Sequence, residues 1–579
     1  MSRGFHGRMA FALSLVALAA ALVLFLGTAL HQLHLPGFYY DEALDLTPML
    51  HVMRGETPDL LRGIGLGRFP VMLLDYMGSL GGYLTLPFMW LFGPGYVSAR
   101  AQPIFFSAVT IVLAWLLARR WFGDGVAAVT ALLLAVHPSF VWFSRQGISV
   151  TSVMTVFSLG SLLLLDSALR APQHRAAPKT VLTVGAAGVL IGLGLWAKFL
   201  FFRWMVVLAL MGGLAWLSHA RPALPWAGRW AAALAIGFAL GAFPLIYYNI
   251  VGLLRDGNPW TVTLLLNSLT QPTQQFGVNN LDVLTNLRKA IDDVRVFLDG
   301  SYFWYNGIPF SNVYAVPTLL ISAFVGALLS FRRSRLERMR FAALLLGIAT
   351  LTVLGAFTVS GLWSTHQFIM LPLPQLVIAC AAVWVGEAVS RALLSAVEVR
   401  SRMLARALNT GLVVACLAIP FSRDLWVNEQ HHQTLARTGG AGRFSDAVYK
   451  LANWLDANRI AQPIALDWGI ERNVRVLTAD RVRPVEIFGF SPEPDEGFRQ
   501  RALAALQDPE HYYIVLWDRF AVYNRRKAFT DLAQQAGRNV LEVFIAHERS
   551  GLPVYVVLQA KPHSATQYGA EHVKPEQQR

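Results

Sequence analysis

Apolar runs of bilayer length recur along the first 420 or so residues of the chain. A spanning helix needs roughly 20 mostly apolar residues, and eleven segments meet that measure: 9–30, 99–117, 126–143, 150–169, 180–197, 202–218, 230–250, 313–331, 341–359, 367–385 and 404–421. A further apolar stretch, 78–92, is short and broken by Gly and Pro, which predicts a re-entrant or interfacial piece. The first run is too long for the roughly 7–15-residue core of a secretory signal, so it reads as a span. Composition agrees with this pattern. Of the 579 residues, 55% are hydrophobic and only 15% charged, against about a quarter charged in soluble proteins. Disorder, collagen-like repeats and a small disulfide scaffold are excluded. The fold class expected is an α-helical polytopic membrane protein with about eleven transmembrane helices.

The net charge of +14 would suggest nucleic acid if it were spread over a soluble surface. It is not spread. With the N-terminus inside, alternate loops carry Arg3, Arg8, Arg119, Arg120, Arg170, Arg175, Lys179, Arg221 and Arg229, then the cluster from Arg332 to Arg340 and the group from Arg391 to Arg406. Positive residues in short loops mark the cytoplasmic side. The charge is therefore a topology signal, and no nucleic-acid partner is expected. An odd number of spans puts the C-terminus outside. Cys380 and Cys416 both fall within spans and read as packing residues rather than a bridge or metal pair.

Three outer regions are longer than connectors need to be. Residues 31–98 contain YYDEALD and an amphipathic pattern starting at Asp41, with Leu44, Met49 and Val52 at helical spacing. Residues 252–312 mix polar runs with aromatics and predict a helix-containing loop on the membrane. Residues 423–562 have ordinary soluble composition. Ser445 is a candidate cap for a helix through Ala457, and short apolar runs at 463–467, 474–477, 485–488, 512–516, 540–544 and 554–558 alternate with helical patterns at 498–507 and 527–536. That alternation predicts an extracytoplasmic α/β domain. Residues 1–422 form the transmembrane domain in this reading, and 563–579 a disordered tail.

The sharpest chemical signal is Tyr39-Tyr40-Asp41-Glu42, just beyond the first span. Paired acids there suit general-base or metal work, although helix N-terminal acids are favoured by the helix dipole alone. Charges within or beside spans are costly and usually functional, and here they collect at the outer ends: Arg100, Arg145, Lys198, Arg203 and His366, with Tyr247, Tyr248 and Asn249 closing the seventh span. Acids and cations meeting at one face suit a substrate with an anionic head and an apolar tail. Arginine and lysine would hold a phosphate, and a carboxylate would take a proton from an incoming hydroxyl. A transporter or flippase of a lipid-linked anion would use the same groups, and a non-catalytic envelope assembly protein would need none of them.

The ordered blocks YYDEALD (39–45), GYLTLPFMWLFGPGYVSARAQPIFFSAVT (82–110), HPSFVWFSRQG (137–147), GLGLWAKFLFF (192–202), FPLIYYN (243–249) and STHQFIMLPLPQL (364–376) resemble the GT-C superfamily of membrane glycosyltransferases. The likeness is to protein O-mannosyltransferases and lipid A aminoarabinose transferases, and it covers roughly residues 9–390. It implies a polyprenyl-phosphate sugar as donor, no required cofactor, and a multi-pass inner-membrane location with the site outside. It also implies an inverting transfer of one sugar to a hydroxyl of a glycolipid, polysaccharide or protein. Asp41 matches the first-loop catalytic acid, and Glu42 follows it. A divalent cation stays open, with Asp41 and Glu42 as its ligands. Arg145, Lys198 and His366 occupy blocks whose polar residues approach the donor phosphate, with Arg68, Arg100 and Arg203 as looser candidates. Tyr40, Tyr247 and Asn249 are expected to contact acceptor or sugar. The chain lacks a WWDYG-like motif, which argues against a preassembled glycan, and its tail lacks a β-trefoil pattern, which argues against a protein acceptor. An Arg- and Ala-rich composition points to a bacterium of high genomic GC, for which the carrier would be undecaprenyl phosphate.

Overall fold

The computed structural model describes residues 2–562 except 147–150, 171–176, 219–224, 273, 276–277, 358–362 and 397–401. The expected disordered tail, 563–579, lies outside the described residues. Helix α1 (Ser2–Leu30) leads to the first outer segment. That segment holds α2 (Tyr40–Ala43), α3 (Leu46–Arg54), the hairpins β1 (Gly65–Leu66) with β2 (Phe69–Pro70) and β3 (Met72–Leu74) with β4 (Met77–Gly78), and α4 (Leu80–Phe92). The bundle continues with α5 (Tyr96–Phe122), α6 (Asp124–Val136), α7 (Pro138–Gln146), α8 (Thr151–Leu169), α9 (Pro178–Ala197), α10 (Phe202–Ser218), α11 (Pro225–Gly241) and α12 (Phe243–Asp256). The second outer segment carries α13 (Trp260–Thr270), the hairpin β5 (Gln274–Gln275) with β6 (Val278–Asn279), and α14 (Val283–Asp299). Helices α15 (Ala315–Ser330), α16 (Arg335–Val353), α17 (Leu373–Ala396) and α18 (Arg402–Thr438) complete the membrane part.

Each of the eleven predicted segments is helical over most of its described residues, the one at 367–385 only from Leu373 as an α-helix, but not every one has bilayer length. Among the described residues seven helices are long and apolar enough to cross, or nine when each of two bent pairs counts as one span. The other two, α10 and α15, have 17 and 16 residues. The bends are 58° between α6 and α7 and 74° between α11 and α12. Proline explains both: Pro138 opens α7 and Pro244 lies in the first turn of α12, and a proline has no N–H to bond back into the preceding helix. Helices α9 and α11 approach through glycine. A Cβ at Gly188, Gly192, Gly237 or Gly241 would collide with the backbone of the opposite helix, which is how small residues drive close packing where no hydrophobic effect operates.

The first outer segment differs from its pattern in one respect. A single helix from Asp41 would need the Pro48 nitrogen to donate to the Leu44 carbonyl, which it cannot. The ladder breaks at Leu44–Asp45 and restarts as α3, with Pro48 in its first turn, where no donor is required.

Helix α18 runs unbroken for 37 residues, through the position 422 where the transmembrane domain was expected to end. The soluble part follows it: α19 (Ala447–Ala457), β7 (Ile464–Ala465), α20 (Glu471–Leu477), β8 (Val485–Glu486), α21 (Glu496–Ala505), β9 (Tyr512–Leu516), α22 (Arg526–Gln535), β10 (Arg538–His547) and β11 (Pro553–Pro562). The sheet order is β10-β11-β9-β7-β8, antiparallel across the first three strands and parallel across the last three. Of the six expected strands, 474–477 is instead the end of α20; its apolar run is a buried helical stripe, with Val474 and Val476 inside. Ser445 does not cap α19. Its hydroxyl donates to the Gly442 carbonyl at 2.6 Å.

One hydrophobic core joins the first outer segment to this domain. Phe38, Leu46, Met49 and Leu50 pack with Val448, Leu451, Val474 and Tyr555. The domain is therefore fixed over YYDEALD.

Candidate active site

Asp41 and Glu42 are adjacent in α2 but meet different surroundings. Glu42 is almost fully enclosed. Arg100, fully buried on α5, grips it in two places, Nε to Oε2 at 2.7 Å and Nη2 to Oε1 at 2.8 Å, and the Tyr39 amide donates to Oε1 at 3.1 Å. The rest of Arg100 is held by the Leu33 and Gly37 carbonyls. Asp41 is half-buried and forms no hydrogen bond or ion pair with another described residue. Burial raises its pKa; Lys198 opposes this most strongly, then Arg443.

Asp45 follows one helical turn later. Its Oδ1 is buried without a hydrogen-bond partner, and burial pushes its pKa up to about 7. A Cβ on Gly81 would lie 2.9 Å from this carboxylate, so the glycine lets α4 come close. Asp45 also lines a small cleft with Gln102 of α5 and with Thr151 and Ser152 of α8.

Lys198 follows α9 and faces both Asp41 and Asp45 electrostatically; burial lowers its pKa to about 8. The position is set by an isolated bridge to Met77 and by the Phe199 amide bonding the Tyr76 carbonyl at 2.9 Å. Its Nζ lies 3.2 Å from His366 Nε2. Burial, reinforced by Lys198, drives the His366 pKa well down, so the ring is neutral. Its Nδ1 faces the Trp363 backbone, 3.0 Å from the amide nitrogen and 3.3 Å from the carbonyl oxygen.

The remaining expected residues fall in several places. Arg145 is fully buried on α7; its Nη2 donates to the Gln32 and Leu35 carbonyls, its guanidinium lies 4.5 Å from the Trp142 ring centroid, and its Nε and Nη1 have no partner among the described residues. Arg203 holds the Leu351 carbonyl and Gln367. Arg68 is exposed, bonded to the Gly55 carbonyl and resting on Phe69. Tyr40 accepts a hydrogen bond from Arg472 at 2.9 Å. Tyr247 stacks on Phe243. Asn249 accepts from the Thr261 and Val262 amides and so anchors the start of α13. Arg100 is committed to Glu42 and Asn249 to a helix end, each for a structural reason its sequence position does not reveal.

Two contributors come from the soluble domain. Arg443 lies 5.6–5.8 Å from the ring centres of Tyr39, Phe444 and Trp468, and Arg472 sits over Tyr40. Trp468 meets Tyr40 at 4.6 Å. No local motif marks these residues; only the packing brings them to α2. Asp45 had a signal, its four-residue spacing from Asp41. As a metal pair, Asp41 and Glu42 do not fit: both Glu42 oxygens are occupied, and no three His, Cys, Asp or Glu among the described residues gather as metal ligands.

Residues 79–248 match the family model described as dolichyl-phosphate-mannose-protein mannosyltransferase. ArnT from Cupriavidus metallidurans in the apo state superposes with a TM-score of 0.55 at 12% identity, over 94% of this chain and 98% of that one. The same protein bound to undecaprenyl phosphate gives 0.54 at 13%, over 94% and 97%. The chain has the GT-C fold of membrane glycosyltransferases. The Archaeoglobus fulgidus oligosaccharyltransferase AglB, in complex with an inhibitory peptide and a dolichol-phosphate, shares it with a TM-score of 0.52 at 14% identity, over 94% of this chain and 74% of that one. No curated protein matches in sequence. Within a GT-C fold, this chain is a multi-pass membrane protein with its acidic motif and off-pattern cations at one end of the bundle.

Proposed function

We propose that the protein is an inverting glycosyltransferase that moves one sugar from a polyprenyl-phosphate donor, undecaprenyl phosphate being the expected carrier, to an acceptor hydroxyl at the extracytoplasmic face of the inner membrane. The observation carrying this reading is the unequal pair: Glu42 neutralised by Arg100, Asp41 left unpaired opposite Lys198. Asp41 takes the proton of the acceptor hydroxyl as its oxygen bonds to the anomeric carbon. The bond from that carbon to the phosphate oxygen breaks on the opposite side, and the electron pair leaves with the lipid phosphate. A phosphate leaving group needs no proton, so stabilisation by fixed cations suffices. Lys198 supplies one, held in place by His366. The site residues present give this chemistry without a metal step. Relatives of the same fold bound to undecaprenyl phosphate and to dolichol-phosphate support the donor class.

The test is Asp41→Asn. Turnover should be abolished while folding is retained, and mass spectrometry of copurifying lipid should show a polyprenyl-phosphate sugar trapped by the variant. Full activity in Asp41→Asn would sink the assignment. A lipid that crosses vesicles equally in both forms would favour a transporter.

A further inference from the structure

Asp41 lies between two groups of cations mounted on different parts of the molecule. Lys198 and its partner His366 belong to the outer ends of the membrane helices. Arg443 and Arg472 belong to the soluble domain. A lipid phosphate is tethered at the bilayer boundary by its tail, so the cations on the helix ends are the ones it meets. The domain's pair is left facing Asp41 from the other side, free for a different ligand.

The surroundings of that pair are those of a saccharide subsite. Arg443 is half-exposed and has no hydrogen bond or ion pair with a described residue; its contacts are the faces of Tyr39, Phe444 and Trp468. Arg472 spends its Nε on the Tyr40 hydroxyl; its one ion-pair partner among the described residues, Glu471, stands 3.9 Å away, and Asp41, Asp45 and Glu486 lie within its electrostatic reach. The guanidinium nitrogens left over form a planar donor set suited to a phosphate or carboxylate. Trp468, half-exposed beside them, supplies the apolar face on which a sugar ring packs. Arg443 also acts electrostatically on Asp41, which places the subsite within reach of the general base.

We infer that the soluble domain builds the acceptor subsite, and that Arg443 and Arg472, with Trp468, bind a saccharide acceptor carrying an anionic group close to the hydroxyl that reacts at Asp41. This rests on the glycosyl-transfer reading. It adds a substrate class: a phosphorylated or uronate-bearing glycan rather than a neutral one.

The experiment uses the full chain in detergent, saturated with undecaprenyl phosphate, and follows thermal stabilisation by glucose 6-phosphate, glucuronate and glucose. Wild type should be stabilised by an anionic probe and not by glucose; which anion stabilises more tells phosphate from carboxylate. Arg443→Gln and Arg472→Gln should each weaken the anionic probe about tenfold with undecaprenyl phosphate affinity unchanged. Arg443→Lys should recover part of the loss. Lys198→Gln should do the reverse, weakening undecaprenyl phosphate alone. Equal stabilisation by glucose, or none by either anion, overturns the inference. So does loss of undecaprenyl phosphate affinity in the arginine variants, which would assign those cations to the donor. Failure of Lys198→Gln to affect undecaprenyl phosphate would instead strike the donor reading and leave the acceptor subsite standing.

Discussion

Neighbouring carboxylates of identical charge end in opposite roles because one finds an arginine and the other does not. The Glu42–Arg100 pair has side-chain exposures of 1% and 0%. Removing one partner from a buried ion pair typically costs about 3–5 kcal/mol, because the remaining charge is stranded. Arg100→Leu should therefore lower the thermal unfolding temperature markedly, whereas Asp41→Asn should leave it nearly unchanged while activity vanishes. Lys198 gives a pH signature. Its pKa, lowered by burial to about 8, means that the ammonium is present below that pH and lost above it. An anion binds the protonated form and raises its pKa further. Polyprenyl-phosphate affinity should therefore hold level below pH 8 and then fall toward tenfold per unit, and Lys198→Arg should remove the fall. A flat profile across pH 7–9 in the wild type would rule out Lys198 as the phosphate cation.

At the scale of elements, glycine and proline decide the shape. The α9–α11 seam leaves no room for a side chain at Gly237, where a Cβ would strike the Gly185 carbonyl. Gly237→Leu should force these helices apart and loosen the Lys198 loop that follows α9. The measurement is undecaprenyl phosphate binding alongside unfolding temperature, and both should fall. The helical segments were legible from hydropathy, but the number that cross was not, since seven of the described helices, or nine with the bent pairs, are long and apolar enough. The bends were not, since a proline within an apolar run is also tolerated in straight spans. The site was legible in part. YYDEALD marks where the acids lie, but the division of labour between Asp41 and Glu42 depends on Arg100, 58 residues away. Arg443 and Arg472 carried no signal, because a solvated arginine and one set over a buried tyrosine look the same in a sequence.

At the scale of the whole molecule, the first outer segment and the soluble domain fold as one body. Phe38, Met49 and Leu50 share a core with Leu451 and Tyr555, and ion pairs such as Arg54–Asp480 at 2.8 Å close its edge. Chains 1–438 and 439–579, produced together as separate polypeptides, should copurify in detergent. Leu451→Asp should release the domain and expose residues 31–78 to proteolysis. Copurification that survives Leu451→Asp would show the shared core to be dispensable.

The 37-residue helix α18 has one more consequence. At 1.5 Å per residue it is about 55 Å long, well beyond a hydrocarbon layer of about 30 Å, and its far end carries the roof of the site. A rod so placed works as a depth gauge. A thicker or thinner bilayer makes it tilt or sink at a small cost per ångström, and the roof moves with it, carrying the bound α2 relative to the helix-end cations. The rate in reconstituted vesicles should then depend on acyl-chain length, with an optimum set by the host membrane and losses on either side of it.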